Sequence, residues 1–256
     1  MTKKIFFKSG DGTSLCGVWQ EPEIKTNKAI ILVHGITANK DESGIFIELS
    51  ESLKSKGYAV FRFDFRGSGE SEGKSVDITI KKEKDDLSAA FSIVENAGYK
   101  KIGLLGASFG GGITALWSAI NQDKILALCL WNPVLNYDHC FLNPVTDWLK
   151  NRNQKIFSDF KKQGWSTLGS QNFVIGKNLF DEMAMLFPYQ ELKKIKKPIL
   201  IIHGDQDGKV PVEDSQEYAK DVGNFILIKG SDHGFHESPY DKQAIILTLE
   251  FFFKNL

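Results

Sequence analysis

The feature that most constrains the fold is a series of short, continuous apolar runs that alternate with segments of helical periodicity. The run at 29–33, Ala-Ile-Ile-Leu-Val, shows no polar residue at alternate positions, which is typical of strands buried on both faces of a parallel sheet. Strands that alternate with helices favour βαβ units, so we predict an α/β fold with a mainly parallel sheet. The predicted strands are 5–7, 15–19, 29–33, 58–63, 102–105, 126–131, 198–202 and 225–228.

Between residues 133 and 197 this rhythm breaks. No apolar strand run is evident there, and helical-looking pieces at 145–162 and 177–186 are broken by glycines. Eleven of the 30 aromatic residues lie between Trp131 and Tyr189, a concentration typical of a minor core or of the wall of an apolar pocket. We therefore expect residues 1–132 and 198–256 to form the core domain and residues 133–197, the insert, to form a helical cap.

The pattern Gly-x-Ser-x-Gly occurs twice, and its meaning depends on the structural context of each copy. The copy at 69–73 lies in a polar loop with no strand directly before it, so we reject Ser71 as a nucleophile. The copy at 106–110 follows a predicted strand and opens a helix. A strand, a sharp turn and a helix expose the serine hydroxyl, so Ser108 is the candidate nucleophile. The alternative, a glycine-rich phosphate-binding turn, lacks a Walker lysine and GxGxxG spacing.

A serine nucleophile needs a base that is itself oriented by an acid. Of the five histidines, His233 directly follows the last predicted strand, at the carboxyl edge where sites on parallel sheets form. His236 lies three residues further on and should point elsewhere. Two carboxylates follow the strand at 198–202: Asp207 is slightly favoured as the acid, whereas Asp205 could instead shape the turn.

The tetrahedral intermediate of acyl transfer needs two N–H donors aimed at its oxygen. One candidate is the backbone N–H of Phe109, the residue after the nucleophile. The other is the N–H of Ile36, because Gly35 lets the loop after strand 29–33 approach closely. His34 more plausibly braces this loop than acts as a base. The candidate substrate-binding residues are His34, Gly35, Trp148 and Trp165, the two tryptophans being either pocket lining or part of the insert's own core.

These motifs resemble those of the α/β-hydrolase superfamily over nearly the whole chain. More narrowly, the chain resembles bacterial cinnamoyl/feruloyl esterases and their monoacylglycerol-lipase-like relatives. The resemblance rests on segment 34–40 (His-Gly-Ile-Thr-Ala-Asn-Lys), on segment 62–71 (Arg-Phe-Asp-Phe-Arg-Gly-Ser-Gly-Glu-Ser), on the turn at Ser108 and on the loops of Asp207 and His233. The chain order Ser, Asp, His is also that of this superfamily.

The resemblance implies the α/β-hydrolase fold, with an eight-stranded type of sheet and a cap inserted before the strand at Pro198. In that family the acid falls four residues after a strand-end histidine, which His203 matches, so the resemblance favours Asp207. It also maps the two oxyanion donors onto Ile36 and Phe109. Residue 36 is often Phe in these relatives, and Gln or Met often follows the serine, so the pocket wall differs here.

The implied activity is hydrolysis of carboxylic esters of small to medium neutral substrates, either aryl or cinnamoyl esters or short-to-medium acyl esters, with no metal or organic cofactor. A thioesterase, monoacylglycerol lipase, acyl-aminoacyl peptidase or acyltransferase would use the same triad, because the triad acts on the acyl carbon and does not select the leaving group. A non-catalytic ligand-binding protein of this fold would usually have lost the serine or the histidine, and both are present.

The charge composition and the cysteine content bear on the molecules that this protein binds and on where it is located. The chain carries 32 basic and 32 acidic residues, and only three of the cations are arginines, so the sequence argues against a nucleic-acid partner. This balance suits a neutral ester, although a local charged patch inside the insert would not appear in the totals. We expect a cytoplasmic protein without a metal site. The three cysteines are scattered and form no CxxC motif, and the sequence shows neither a secretory signal nor an apolar run long enough to span a membrane. The exposed face of the insert could support a homodimer.

Overall fold

The computed structural model describes residues 2–169 and 173–256, and the account below refers to these ranges. The strands are β1 (Thr2–Lys8), β2 (Ser14–Gln20), β3 (Lys28–Val33), β4 (Ala59–Phe63), β5 (Lys101–Ala107), β6 (Ala127–Trp131), β7 (Trp165–Leu168), β8 (Phe173–Gly176), β9 (Ile199–Gly204) and β10 (Phe225–Ile228). The α-helices are α1 (Ile45–Ser55), α2 (Ile80–Asn96), α3 (Ser108–Ile120), α4 (Asp147–Lys150), α5 (Asn153–Gln163), α6 (Lys177–Met183), α7 (Pro188–Leu192), α8 (Val212–Ala219) and α9 (Tyr240–Asn255).

Eight of these strands form one sheet in the order β1-β2-β4-β3-β5-β6-β9-β10. The hairpin β1–β2 is antiparallel, as is the pairing of β2 with β4, whereas all pairings from β4 to β10 are parallel. This is the order and direction expected of an α/β-hydrolase sheet, so the predicted fold class is confirmed.

The two faces of the sheet explain the continuous apolar run in β3. Ile31 and Val33 pack into one apolar cluster with residues of α2 and α3. Ile30 and Leu32 pack into a second cluster with residues of α1 and α9. All four side chains are fully buried. Because both faces of the strand are covered by helices, neither face admits a polar residue.

The insert is mostly helical, as predicted, but it also contains a hairpin that the sequence did not reveal. The helical-looking stretch at 145–162 is two helices, α4 and α5, with a break around Arg152. After α5, β7 pairs antiparallel with β8, and Leu168 and Ile175 of this hairpin are fully buried. The interpretation that the insert has no strands is therefore wrong, and the division into core and cap stays a prediction.

The parallel strands determine where a site can form. β3, β5, β6, β9 and β10 all run in one direction, so the loops that follow them meet at a single edge of the sheet. Four of these loops carry the candidate residues His34 to Lys40, Ser108, Asp207 and His233. Within the ranges described, no helix has both the length and the apolar character needed to cross a membrane.

Candidate active site

Ser108 lies in a sharp turn between β5 and α3. Its φ is 51°, a left-handed conformation that costs a non-glycine residue about 1–3 kcal/mol and persists only where the surroundings impose it. The surroundings here are close: a Cβ at Gly110 would collide with the backbone carbonyl of His34, so the turn packs tightly on the loop that follows β3. The strained turn projects the Ser108 hydroxyl away from the helix backbone.

The hydroxyl of Ser108 and the imidazole of His233 lie within hydrogen-bond distance. His233 Nε2 is 2.9 Å from Ser108 Oγ, and His233 Nδ1 is 2.7 Å from Asp207 Oδ2. A carboxylate can only accept, so Nδ1 carries the proton and Nε2 is left to accept the hydrogen of the serine. This chain of contacts is the arrangement that removes a proton from a serine nucleophile.

Asp207 is held by four hydrogen bonds. Its Oδ1 accepts the backbone N–H groups of Lys209 and Val210, at 2.8 and 2.9 Å. Its Oδ2 faces both His233 and His203, whose Nε2 lies at 3.1 Å. Burial acts to raise the pKa of the Asp207 carboxyl, but the charge of His233 and the hydrogen bonds from both histidines outweigh it, so the pKa lies well below its usual range. Asp207 is therefore a fixed, ionised acceptor.

His203 is a supporting residue whose role the sequence did not reveal. It is fully buried, and both neighbours of its Nε2, the Asp207 carboxylate and the Val210 carbonyl, can only accept. Nε2 therefore carries the proton, and Nδ1 accepts from the Ser215 hydroxyl at 2.8 Å. His203 thus donates to the same oxygen of Asp207, Oδ2, that faces His233.

We expect His203→Leu to lower kcat by about tenfold with little change in KM, because the lost hydrogen bond to a buried carboxylate is worth roughly 1–3 kcal/mol and acts on the acid rather than on the substrate. The matched variant His203→Gln keeps an N–H donor and should retain more of the activity. Steady-state kinetics on a chromogenic ester checks both variants. A KM change with an unaltered kcat would contradict this positioning role.

Asn132 is a second supporting residue, and its backbone is left-handed, with a φ of 42°. Its side-chain amide donates to the carbonyl of His233, and its Oδ1 accepts the N–H of Gly204 at 2.9 Å. One side chain therefore ties the end of β9 to the loop that carries the histidine. The only sequence signal was its place directly after the predicted strand that ends at Trp131.

The two candidate oxyanion donors lie beside Ser108. Phe109 is the second residue of α3, and N–H groups in the first turn of a helix have no intrahelical acceptor. The N–H of Ile36 donates to no acceptor within the described residues. Gly35 brings Ile36 close, since a Cβ at position 35 would lie 3.0 Å from the Cβ of Ser108. Both N–H groups are thus free to receive a developing oxyanion.

Glu42 fixes the loop that carries Ile36. Its Oε2 accepts the backbone N–H of Gly35 at 2.7 Å, and its own φ is 43°. Burial raises the pKa of Glu42 to about 7, against the opposing effects of the Gly35 hydrogen bond and the charges of Lys209 and His236. No sequence pattern pointed to this carboxyl.

We expect Glu42→Gln to be more stable, relative to the natural chain, at pH 8 than at pH 5. The folded pKa of about 7 exceeds the ordinary value of 4.5, so the stability that Glu42 contributes is complete below pH 4.5 and is lost as the pH rises through 7. With allowance for partial exposure the difference is about 1–2 kcal/mol. Urea unfolding at both pH values measures it, with Glu48→Gln on the exposed face of α1 as the matched control. An equal difference at both pH values would contradict the raised pKa.

Ser108 and His233 open into a cavity of about 450 Å³. Its wall includes Trp148, Gly35 and Ile36, so three of the predicted residues face it. Trp165 is 40% exposed at the start of β7 and is absent from the described lining. The remaining lining residues are Thr37, Ala38, Glu42, Ser43, Val134, Phe141, Arg152, Leu168, Gly169, Lys209, Val210, Gly234 and His236.

His34 does not fit the expectation that it binds substrate. It is buried, its Nδ1 donates to the Gly35 carbonyl at 2.8 Å and its Nε2 accepts the N–H of Phe65 at 3.0 Å. Burial lowers the pKa of His34, which agrees with a neutral ring. These contacts brace the loop after β3, the other role considered for this residue.

The rejected candidates have structural partners of their own. Ser71 donates to the carbonyl of Asp64 at 2.6 Å and accepts the N–H of Cys16 at 2.9 Å. Asp205 accepts the N–H of Gly230 at 2.6 Å and so shapes the turn between two loops. His236 pairs with Asp232 at 2.9 Å on the surface. The structure brings Ser108, His233 and Asp207 together without any of these three.

Comparison with known proteins agrees with this geometry. A family model described as serine aminopeptidase, S33 (Hydrolase_4), matches residues 24–172, which is more than half of the chain. The chain belongs to this family of α/β-hydrolases. The matched range includes the loop of Ile36, the turn at Ser108 and most of the insert.

Individual relatives point in the same direction. The chain is 28% identical over 226 residues to "Putative esterase/lipase 2" of Mycoplasma pneumoniae, with 82% of each chain covered. It is 24% identical over 233 residues to the mitochondrial palmitoyl-protein thioesterase ABHD10 of Rattus norvegicus, with 88% of this chain and 74% of that protein covered. Together with the family, these relatives support a hydrolase of the esterase/lipase type.

Among solved structures, Est1E from Butyrivibrio proteoclasticus with bound ferulic acid has a TM-score of 0.85 to this chain. The two share 24% sequence identity, and the match covers 98% of each. This likeness extends over the insert as well as the sheet and establishes a common fold.

Proposed function

We propose that this protein is a serine esterase that hydrolyses carboxylic esters through an acyl-enzyme. The observation that carries the proposal is the unbroken line of contacts from Ser108 through His233 to Asp207, at 2.9 and 2.7 Å, beside a cavity. In this proposal Ser108 is the nucleophile, His233 the general base and acid, and Asp207 the residue that fixes the imidazole.

In the first step Ser108 Oγ attacks the ester carbonyl while His233 Nε2 takes its proton. The carbonyl oxygen becomes an oxyanion, which the N–H groups of Ile36 and Phe109 receive. His233, now an imidazolium stabilised by Asp207, gives its proton to the leaving alcohol as the C–O bond breaks. The acyl group is then bound to Ser108 and the alcohol departs.

In the second step water attacks the acyl-enzyme. His233 takes one proton from the water, and the second tetrahedral intermediate uses the same two N–H donors. Its collapse breaks the bond between the acyl carbon and Ser108, and His233 returns the proton to Oγ. The products are one carboxylic acid and one alcohol, and the protein is unchanged.

The walls of the cavity favour an aryl or cinnamoyl ester or a short-to-medium acyl ester. Phe141 and Trp148 contact each other edge to face, with ring centroids 5.8 Å apart, and both line the cavity. A volume of about 450 Å³ suits a small to medium molecule.

A second candidate is a thioesterase that uses the same residues. The name of one relative, a palmitoyl-protein thioesterase, favours it. The triad does not separate an alkoxide from a thiolate leaving group, and the family description, serine aminopeptidase, adds an amide as a third possible bond.

The experiment is a panel of 4-nitrophenyl esters from acetate to octanoate, methyl ferulate, the matching acyl thioesters and the matching 4-nitroanilides. We expect kcat/KM to be highest for an ester and to depend on acyl size, with Ser108→Ala as the blank. A higher kcat/KM for thioesters over oxygen esters of equal acyl length would favour the second candidate. No turnover above the blank for any substrate would overturn the proposal.

A further inference from the structure

The cavity beside Ser108 combines two kinds of surface. Four apolar side chains of the insert line it: Val134, Phe141, Trp148 and Leu168. Two basic side chains, Arg152 and Lys209, line the same cavity. A neutral apolar acyl group needs only the apolar residues, so the basic residues have a different role.

The two cations come from different elements. Lys209 follows Asp207 in the loop after β9, and Arg152 lies at the junction of α4 and α5. Neither side chain forms a salt bridge with any carboxylate in residues 2–169 or 173–256. The four residues outside those ranges are Met1, Ser170, Gln171 and Asn172, and none of them has an acidic side chain.

The backbone of Lys209 is held at the cavity from two directions. Its N–H donates to Asp207 Oδ1 at 2.8 Å, and its carbonyl accepts the Thr146 hydroxyl at 2.9 Å. The first bond links it to the candidate catalytic acid and the second to the insert. The backbone that carries the Lys209 ammonium is therefore held in place by hydrogen bonds at both its N–H and its carbonyl.

Arg152 is also anchored, and most of its guanidinium donors have no acceptor within the described residues. Its N–H donates to the Leu149 carbonyl at 2.8 Å, and one guanidinium nitrogen, Nη1, donates to the Gly169 carbonyl at 3.0 Å. A guanidinium has five N–H groups in a planar fork, so one bond to a carbonyl leaves the geometry that pairs with a carboxylate or phosphate.

Glu42 is the one carboxyl among the lining residues that the structure describes. It already accepts the N–H of Gly35, and its pKa of about 7 leaves it partly protonated at neutral pH. The remaining titratable neighbour, His236, is paired with Asp232. Within the described lining two basic side chains thus face one carboxyl, so basic residues outnumber acidic ones there although the whole chain has a net charge of +0.

We propose that the ester substrate carries an anionic group, a carboxylate or a phosphate, which Lys209 and Arg152 receive. This inference rests on the proposed esterase function and adds a substrate class to it. The apolar wall holds the hydrocarbon part of the substrate, and the two cations hold the anionic end. The equal numbers of acidic and basic residues in the chain concealed this local excess of positive charge.

The test compares anionic esters with neutral esters of similar shape, with spontaneous hydrolysis subtracted. On the acyl side, mono-4-nitrophenyl suberate is compared with its methyl-capped diester. On the alcohol side, 4-acetoxybenzoate and 4-acetoxyphenyl phosphate are each compared with methyl 4-acetoxybenzoate. The measured quantity is the anionic-to-neutral ratio of kcat/KM. If the ratio falls in the cation variants for the suberate pair, the two cations receive an anion on the acyl side. If it falls for 4-acetoxybenzoate or for 4-acetoxyphenyl phosphate, they receive a carboxylate or a phosphate on the alcohol side.

We expect Lys209→Gln and Arg152→Gln each to lower the anionic-to-neutral ratio by roughly two- to fivefold, the range of a partly exposed ion pair. Lys220 directly follows α8, and its ammonium pairs with Glu217. Lys220→Gln therefore removes the same charge elsewhere and should leave the ratio unchanged. Raising the salt from about 0.05 M to about 0.5 M should lower the ratio of the natural chain but not that of the double variant.

Two failures can be told apart. In the first, neutral esters are hydrolysed in a Ser108-dependent way, but the anionic-to-neutral ratio of kcat/KM is the same for the natural chain, Lys209→Gln and Arg152→Gln with every ester pair. The proposal of an anionic substrate is then wrong, and the esterase proposal stands. If no ester is hydrolysed at all, both are overturned.

Discussion

Ser108→Ala should lose about 10⁴- to 10⁶-fold in kcat on a 4-nitrophenyl ester, the range expected when a serine nucleophile is removed from an intact triad. The variant removes the one oxygen that lies 2.9 Å from His233 Nε2 and leaves the cavity and both oxyanion donors in place. The residual rate should be independent of His233, because no acyl-enzyme can form. End-point assays with purified protein measure the residual kcat of the variant. Unfolding curves confirm that the variant is folded.

The chain offers a matched control for this experiment in its second Gly-x-Ser-x-Gly copy. Ser71→Ala removes hydrogen bonds to Asp64 and Cys16, so it should lower the free energy of unfolding by about 1 kcal/mol per bond while kcat stays within a factor of two or so of the natural value. Activity that survives Ser108→Ala and disappears in Ser71→Ala would reverse the assignment.

Asp207→Asn should lower kcat by roughly 10⁴, as expected when the acid of a triad is replaced by its amide. Both oxygens of Asp207 accept hydrogen bonds. An amide cannot satisfy both sides: its NH₂ faces either the N–H groups of Lys209 and Val210, or the ring nitrogens of His233 and His203. In the second arrangement it donates to His233 Nδ1, which moves the ring proton to Nε2 and leaves no base for Ser108.

Asp205→Asn is the matched variant for this change, two residues away and of the same chemistry. Asp205 contacts the N–H of Gly230 and not His233, so the amide oxygen can replace the carboxylate and kcat should fall by no more than about threefold. The pair is measured on the same ester at the pH optimum. Loss of activity in Asp205→Asn alone would show that the wrong carboxylate has been chosen.

The fold could be predicted because its signals are local. Residues 29–33 of β3 each face one of two apolar layers, with Ile31 on one side and Ile30 on the other, so this part of the strand is a continuous apolar run. The hairpin of β7 and β8 gave no such signal. Each of its strands has four residues, too few to show a period, and both inner residues of β7 are polar.

The candidate triad residues could be named in advance because each follows a predicted strand at the same edge of the sheet. The choice between Asp205 and Asp207 could not be made from spacing alone, since both lie in the same loop, and the family resemblance favoured Asp207. The structure places Asp207 and not Asp205 against His233.

The supporting residues could not be predicted, because no local sequence pattern reports their contacts. Asn132 meets the carbonyl of a residue 101 positions away, and His203 acts through the carboxylate of Asp207. Glu42 lies only seven positions from Gly35, but its contact depends on a left-handed backbone at a residue that rarely adopts one. Neither the amino-acid composition nor the hydrophobic periodicity of the sequence predicts such contacts.

The central claim is that Ser108 forms a covalent acyl-enzyme, and a fluorophosphonate tests it most directly. Such a reagent phosphonylates only a serine whose proton a neighbouring base removes. The account predicts one phosphonyl group per chain, located on Ser108 by peptide mass mapping, with esterase activity lost in proportion to labelling and no label in His233→Gln. Labelling at Ser71, or full loss of activity with Ser108 unmodified, would contradict it.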